Sequence, residues 1–255
     1  MSHIKKNIIS STIKIYEVGG SVRDQLLGKT PLDLDYAVEA SSYQEMVNFL
    51  EKEGFTIYVK KPEFGFVKGR FPLSNAKSYF SKFTGIGDFT LCRKDGFYTD
   101  SRRPESIEPA SILDDLARRD FTINAMAREL GSDIILDPHG GLEDLKKGYI
   151  QCVGKAEDRL REDPLRFVRA LRQSIKYRFE IDKEIYRVID KTWYPEILKT
   201  LAIERINQEM KKAFHLNTIL SLRVFSQLPD KILKILLPPG KHILDPTLRR
   251  SKVKF

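Results

Sequence analysis

The hydrophobic pattern of this chain changes its period along the sequence, and that change limits the folds it can adopt. Residues 13–18 alternate apolar and polar side chains, as a half-buried strand does, and Gly19-Gly20 ends the alternation. A short helix over 21–27 and a second strand over 34–38 are predicted next. From about Asp114 onward helical patterns dominate. The pattern therefore predicts an α+β fold, with strands and helices alternating first and helices following.

Further elements fill in the first part of the chain. Strands are predicted over 55–59, 64–68 and 88–92, and short strands near 134–136 and 149–153. Ser42 and Glu45 have the spacing of a capping box, which predicts a helix start.

The same patterns divide the chain into three parts. We expect a head over 1–140, a helical neck and partial body over 141–236, and a basic tail over 237–255. Prolines and basic residues in the tail are typical of partial disorder.

A glycine turn and a pair of aspartates stand out locally. Gly19-Gly20 lies between a strand and a helix, where backbone N–H groups can approach a phosphate. Asp33 and Asp35 are two residues apart, so in an extended strand both carboxylates point to one side. Such a pair suits a Mg²⁺ ion that also binds nucleotide phosphates. Alone, it is more often two solvated acids, but the glycine turn upstream favours the metal site.

A third carboxylate is usual where two metal ions act together. Asp88 begins an alternating strand that could lie beside the strand of Asp33 and Asp35. Its spacing alone favours an ordinary polar residue at a strand end.

Two adjacent arginines, Arg118 and Arg119, precede Asp120 and Asn124. Guanidinium groups match phosphate oxygens, so this cluster can bind a triphosphate and a ribose. Its composition equally allows a salt-bridged helix entrance.

A third cluster is predicted on an amphipathic helix that starts near Pro164, with Asp163 as its cap. Asp163, Arg166 and Arg169 share its charged face. Such a face is usually solvated, and an Asp163–Arg166 pair contributes only a few tenths of a kcal/mol. In a cleft, however, Asp accepts and Arg donates, so the two can meet the hydrogen-bonding edge of a base.

Net charge and cysteine content indicate which kind of partner and which cellular compartment suit the chain. The formal net charge of +9 favours a polyanion, most often nucleic acid, although a basic surface can serve solubility alone. We find no apolar run of spanning length and no signal-peptide pattern. Cys92 and Cys152 stand far apart, which indicates neither a disulfide framework nor a zinc site, so we expect a cytoplasmic location.

Several long segments in order resemble the bacterial-type (class II) tRNA CCA-adding nucleotidyltransferases and the related bacterial poly(A) polymerases. The segments are GGSVRDQLLGKTPLDLDYAV, RKDGFYTDSRRPESIEPASILDDLARRDFTINAMA, DPHGGLEDLKKGYIQCVG, REDPLRFVRALR and, more weakly, ERINQEMKKAF. They extend over roughly residues 13 to 215 and are far more specific than one short motif. The resemblance implies a nucleotidyltransferase head of the polymerase β type with a small mixed sheet, then an all-helical neck and short body.

The resemblance also implies residue roles. Asp33 and Asp35 would bind magnesium, and Asp88 would be the third catalytic carboxylate. Asp163 and Arg166 would select cytosine or adenine, and the loop over 99–104 would help to switch from CTP to ATP. The residues implied to bind the nucleotide are Gly19, Gly20, Arg23, Arg119, Asp120, Asn124, Asp163, Arg166, Arg169 and Arg172.

The implied reaction is template-independent addition of CMP and AMP to the 3′ end of tRNA, from CTP and ATP, with Mg²⁺ and release of pyrophosphate. One alternative is a poly(A) polymerase, or an enzyme that adds only A or only CC, on the same scaffold. Another is a catalytically silent RNA-binding module, against which every expected catalytic position is filled.

Members of the resembled family continue beyond the length of this chain, so we expect a C-terminally shortened member. Recognition of tRNA would then be reduced, supplied by a homodimer or a partner protein, or directed to another RNA.

Overall fold

The computed structural model describes residues 13–74, 76–95, 98–100, 103–104 and 107–238. The chain forms two compact units. The first contains the residues up to Arg119 together with Ile123–Gly141, and the second contains Asp120–Thr122 and the residues from Leu142 onward. The predicted loop over 99–104 lies partly outside the described residues, and the predicted tail lies outside them from residue 239.

The first unit holds most of the strands. In chain order its elements are β1 Lys14–Val18, α1 Gly20–Leu26, β2 Asp35–Glu39, α2 Tyr43–Lys52, β3 Thr56–Lys61, β4 Phe66–Arg70, β5 Ile86–Leu91, β6 Arg93–Asp95, β7 Tyr98–Asp100, β8 Arg103–Pro104, β9 Ile107–Pro109, α3 Ile112–Ala117, β10 Ala127–Glu129 and β11 Ile135–Leu136.

Seven of these strands form one mixed sheet in the order β11-β10-β1-β2-β5-β4-β3. β2 and β5 are parallel, and the other neighbours are antiparallel. The predicted mixed sheet is therefore present, and the five main strands lie within two residues of their predicted positions. β10 was not predicted, because a three-residue strand carries too little alternation to stand out and its pairing with β1 is long-range.

The start of α2 shows how the local sequence acts. Ser42 Oγ accepts the Glu45 backbone N–H at 3.0 Å, as predicted. The carboxylate of Glu45, however, accepts from the backbone N–H of Ser41 at 2.7 Å, so the return bond of a capping box goes one residue further out. A complete capping box occurs instead at Ser111 and Asp114, at the start of α3.

One face of the sheet packs against α2 and forms the core of the first unit. Val38, Leu50, Val67 and Phe89 in this core are fully buried, and the rings of Tyr36 and Phe89 stack at 4.9 Å. Each such side chain contributes roughly 1.5–3 kcal/mol to folding.

Because side chains alternate along a strand, the polar positions of β2, β4 and β5 lie on the opposite face. Asp35 of β2 lies opposite Asp88 of β5, and Asp88 lies opposite Lys68 of β4. The packed core therefore fixes a row of charged side chains on the other side of the sheet.

The second unit is mostly helical. Its elements are α4 Gly141–Lys147, β12 Tyr149–Ile150, α5 Ala156–Glu162, α6 Leu165–Tyr177, β13 Glu180–Ile181, α7 Lys183–Ile189, α8 Trp193–Lys199, α9 Ile203–Leu216, α10 Thr218–Phe225 and α11 Asp230–Leu236.

β12 and β13 form a short parallel pair within this helical unit. Phe167, Val168 and Leu171 give α6 the apolar face that was predicted, and all three are fully buried. Within the ranges described above, no helix is both long enough and apolar enough to cross a membrane.

Candidate functional site

Asp35 and Asp88, which we call the carboxylate row, lie side by side on the parallel strands β2 and β5. The Asp88 backbone N–H donates to the carbonyl of Leu34 at 2.9 Å and so fixes the register. Asp33 is exposed and lies in a bend before β2 rather than in the strand. The expectation that Asp33 and Asp35 share one extended strand was therefore wrong, because the strand begins only at Asp35.

Burial and several charged neighbours act on the pKa of Asp35. Burial raises the pKa of Asp35 and the Asp88 carboxylate raises it further, whereas Arg119 opposes the rise. Asp33 adds to the increase and Arg23 reduces it. The net direction is upward, so the surrounding cations do not compensate the negative charge on Asp35, and an additional cation here would be stabilised.

One lysine that the sequence did not single out lies beside the carboxylate row. Lys68 Nζ is 3.0 Å from Asp88 Oδ1. Its interaction with Asp88 raises the pKa of Lys68, and Asp33 and Asp35 add smaller increases. The signal was the alternation of β4, which places Lys68 opposite Asp88 once the strands are paired.

The resemblance of the sequence to nucleotidyltransferases implies a divalent cation at the carboxylate row. The described residues contain no group of three or more His, Cys, Asp or Glu side chains that could hold a metal ion. The donors of the carboxylate row, with Asp33 nearby, are nevertheless of the hard oxygen type that binds Mg²⁺ and leaves positions open for phosphates. The donor chemistry thus fits a divalent cation held by two carboxylates.

Each glycine of the predicted turn lies close to an arginine side chain. Gly19 has φ 67° and connects β1 to α1. A Cβ on Gly19 would lie 2.7 Å from Arg119 Nη1, and one on Gly20 would lie 3.3 Å from Arg23 Nη2. Gly19 is therefore needed both for its left-handed backbone and for the close approach of a guanidinium group.

Asn124 connects the same two arginines, which we call the arginine cluster. Its side-chain oxygen accepts from Arg23, and its backbone carbonyl accepts from Arg119 Nη1 at 3.4 Å. Arg23 is only 7% exposed and is paired with Asp24 at 2.8 Å. The structure thus brings Gly19, Gly20, Arg23, Arg119 and Asn124 together, as the prediction of a nucleotide site requires.

Asp115 is the main residue that the sequence reasoning missed. It is 1% exposed and pairs with Arg118 at 2.7 Å and with Arg119 at 2.9 Å. Burial raises the pKa of Asp115, but the two arginines outweigh burial and the net direction is downward. Its spacing of three and four residues before the arginines that follow α3 was the available signal.

In the second unit, Asp163 and Arg166 lie at the start of α6. Arg166 is 7% exposed, and its Nη1 donates to Glu162 Oε2 at 2.7 Å. Asp163 Oδ1 accepts the Leu165 backbone N–H at 3.1 Å, and Oδ2 lies 3.3 Å from Arg205. The residue at the N-cap of α6 is Pro164 rather than the predicted Asp163, because the helix begins only at Leu165. The guanidinium partner of Asp163 is thus Arg205, and the carboxylate partner of Arg166 is Glu162.

The remaining predicted residues of the second unit are also held by ion pairs. Arg169 Nη1 lies 3.9 Å from Asp120 Oδ2, a long pair. Arg172 Nε donates to Glu209 on α9. The α6 face is therefore a network of fixed charges rather than a set of solvated side chains.

Comparison with known proteins identifies the family. The profile of the family described as Poly A polymerase head domain matches residues 15–151. The "CCA-adding enzyme" of Leuconostoc mesenteroides is 37% identical over 233 residues, which are 90% of this chain and 52% of the relative. That of Oceanobacillus iheyensis is 34% identical in an alignment that covers 97% of this chain and 64% of the relative.

Solved structures give the same result. The Bacillus stearothermophilus CCA-adding enzyme in complex with CTP aligns with a TM-score of 0.70 and 28% identity, covering 89% of this chain and 50% of that one. A tRNA nucleotidyltransferase complexed with a primer tRNA and an incoming ATP analog aligns with a TM-score of 0.68 and 29% identity, covering 89% of this chain and 60% of that one.

The chain spans about half the length of most of the curated relatives it matches. The predicted family and fold class are confirmed. Because the head-domain profile matches more than half of the 255 residues, the chain belongs to the Poly A polymerase head domain family of nucleotidyltransferases.

Proposed function

We propose that this chain adds CMP and AMP to the 3′ end of tRNA from CTP and ATP and releases pyrophosphate. One observation carries the proposal: Asp35 and Asp88 lie in register on parallel strands, and Arg23 and Arg119 are near enough to influence the charge on Asp35. Carboxylates beside guanidinium groups form the donor set that a metal-bound nucleoside triphosphate needs.

In this reaction the oxygen of the RNA 3′-hydroxyl forms a bond to the α-phosphorus of the nucleotide. The bond from that phosphorus to the bridging oxygen breaks, pyrophosphate takes the electron pair, and the hydroxyl proton passes to solvent. Asp33 and Asp35 would hold Mg²⁺, with Asp88 as the third carboxylate of the site. When bound, the ion would lower the pKa of the attacking hydroxyl and neutralise charge on the leaving group.

The arginine cluster would position the triphosphate. Arg23 and Arg119 are held by Asp24, Asp115 and Asn124, so their remaining N–H groups are oriented before the nucleotide arrives. Gly19 and Gly20 leave room for the phosphates next to these guanidinium groups, with Asp120 and Asn124 assigned to the ribose.

We assign base selection to the second unit. Asp163 offers acceptors and Arg166 offers donors, and each is held by an oppositely charged neighbour. Arg169 and Arg172 would support them through their own ion pairs. We retain a catalytic head over 1–140, a base- and RNA-binding helical part over 141–236 and a basic tail over 237–255.

Similarity supports tRNA as the acceptor and both CTP and ATP as donors. Curated relatives are named CCA-adding enzymes, and similar structures hold CTP, or a primer tRNA with an ATP analog. We place the protein in the cytoplasm, where Cys92 and Cys152, both buried free thiols, would stay reduced.

A primer-extension assay tests the proposal. Transcripts of tRNA that end before, within and after CCA are incubated with Mg²⁺ and labelled CTP, ATP or both, alongside a non-tRNA control. We expect C addition only on ends lacking C, A addition only after CC, and arrest after CCA. Long A tails without C addition would instead assign a poly(A) polymerase.

Two variants control this assay. Asp35→Asn should prevent incorporation, whereas Asp133→Asn, which changes an exposed acid in the same unit, should not. RNA binding without magnesium-dependent release of pyrophosphate by the unaltered chain would overturn the proposal in favour of a silent RNA-binding module.

A further inference from the structure

The face of the sheet that carries the carboxylate row continues toward the edge strand β3. Two residues further along β5, Thr90 lies opposite Phe66 of β4, and Phe66 lies opposite Lys61 of β3. At about 3.3 Å per residue, this second row is about 7 Å from Asp88 along the strands. Both rows share one face, because positions two apart on a strand point the same way.

A pocket of about 300 Å³ opens beside this second row. We call it the aromatic pocket, and it is lined by Lys61, Phe64, Phe66, Thr90 and Arg93. Arg93 Nη1 donates to the carbonyl of Phe64 at 2.9 Å, which holds the guanidinium group at the rim. Phe64 is 38% exposed, so its ring is accessible to a ligand.

The lining combines two aromatic rings with two cations. Aromatic faces stack on nucleobases of any sequence, while lysine and arginine contact the adjoining phosphates, and this combination is typical of single-stranded nucleic-acid sites. A volume of about 300 Å³ is at the small end for ligand pockets. The pocket therefore fits one nucleotide of a strand rather than a large ligand.

The order of the sheet separates this pocket from the arginine cluster. Along β1-β2-β5-β4-β3, the glycine turn follows β1, the carboxylate row lies on β2 and β5, and the aromatic pocket lies toward β3. The arginine cluster is on the β1 side of the carboxylates. A triphosphate held by that cluster leaves the β3 side for the other reactant.

We propose that the aromatic pocket binds a nucleotide of the single-stranded 3′ end of the RNA primer, with the base stacked on Phe64 and the phosphate next to Lys61 and Arg93. This inference rests on the proposed function, since it identifies the site of the second substrate of that reaction. It assigns the attacking strand to the β3 side of the carboxylate row and the triphosphate to the β1 side.

Neighbouring lysines on β3 provide a matched test. Lys61 lines the pocket, whereas the preceding Lys60 is 2.7 Å from Glu51 of α2, on the core side of the sheet. The full chain is prepared unaltered, with Lys61→Ala and Phe64→Ala combined, and with Lys60→Ala. Anisotropy of a labelled single-stranded RNA 12-mer ending in CC reports primer binding, and a fluorescent CTP analogue reports triphosphate binding.

We expect the combined variant to bind the RNA about tenfold or more weakly, because stacking and a phosphate contact are both lost. Binding of the CTP analogue should stay within about twofold, since the arginine cluster is unchanged. Phe64→Trp should keep most of the RNA affinity that Phe64→Ala loses, because an indole ring also stacks. Lys60→Ala should match the unaltered chain in both assays.

Unchanged RNA affinity in the combined variant, or equal losses for RNA and the CTP analogue, would overturn the assignment. So would failure of the unaltered chain to bind the RNA. Because binding is measured without catalysis, loss of RNA affinity in a chain that incorporates no nucleotide would support the pocket and reject the proposed function.

Discussion

Two carboxylates of the first unit, the partly buried Asp35 and the fully buried Asp115, have opposite electrostatic surroundings. Burial and the neighbouring Asp88 raise the pKa of Asp35. Asp115 is more deeply buried, but Arg119 and Arg118 lower its pKa. The negative charge of an aspartate is thus left without sufficient compensation at Asp35 and is compensated by neighbouring arginines at Asp115.

This difference separates the proposed binding site from the residues that support it. Asp115 stabilises the fold and fixes Arg119, and its charge is satisfied within the chain. The charge on Asp35 lacks such compensation, so binding of a cation would relieve it. A desolvated acid beside another acid therefore indicates function more strongly than a buried ion pair does.

Asp35→Asn should give the largest effect. Removing one carboxylate of the row is expected to lower nucleotide incorporation on the order of 10³-fold or more, because charge stabilisation at the reacting phosphate is lost. In EDTA at neutral pH, urea denaturation should show no loss of stability, since the raised pKa of Asp35 means that its charge is unfavourable in the folded state. Activity within tenfold of the unaltered chain would place the reaction elsewhere.

Asp115→Asn should lower the stability of the fold, which Asp35→Asn should not. Two partly buried arginines lose their partner, so the free energy of unfolding should fall by about 3 kcal/mol in urea titrations. Glu143→Gln, which removes an exposed pair with Lys147, is the control and should not change the midpoint measurably. Equal effects of the two substitutions would show that Asp115 is not a structural anchor.

The contribution of Asp115 should also depend on pH in one direction. Its pKa is lowered on folding, so the stability it provides is present above the unfolded value of about 3.9 and is lost as the pH falls toward the lower folded value. The difference in unfolding free energy between the unaltered chain and Asp115→Asn should be constant from about pH 7 to 5 and should narrow below about pH 4. A difference that widens on acidification would contradict the assigned shift.

Lys68→Ala should have the smallest effect. Lys68 is exposed and competes with a cation for Asp88, so its removal should lower the Mg²⁺ concentration for half-maximal incorporation by a few-fold. Arg70→Ala, on the same strand, is the matched control and should leave that concentration unchanged. A higher Mg²⁺ requirement in Lys68→Ala would mean that Lys68 instead helps to bind the substrate.

Sequence patterns predicted the main elements, and several of the residues that they singled out lie together at the glycine turn. Gly19 and Gly20 were identified because a glycine pair between a strand and a helix lets backbone N–H groups approach a phosphate, and the structure gives both a close arginine contact. Arg119 and Asn124 were identified from their motif, and they meet Arg23 at that turn.

Prediction failed where a property depends on contacts between distant segments. Asp33 was expected to share a strand with Asp35, but the strand begins at Asp35, where pairing with β5 starts. Lys68 and Asp115 carry only weak local signals, since the first matters through a strand partner and the second through its burial.

The sequence by itself determined the family, the order of strands and helices and the identity of most candidate residues, because these depend on local periodicity and on motifs of adjacent residues. Only the tertiary structure decided which acids are compensated and which are not. The reason is physical: a carboxylate's charge is stabilised or penalised by burial and by neighbours a few ångströms away, and those neighbours come from strands far apart in the chain.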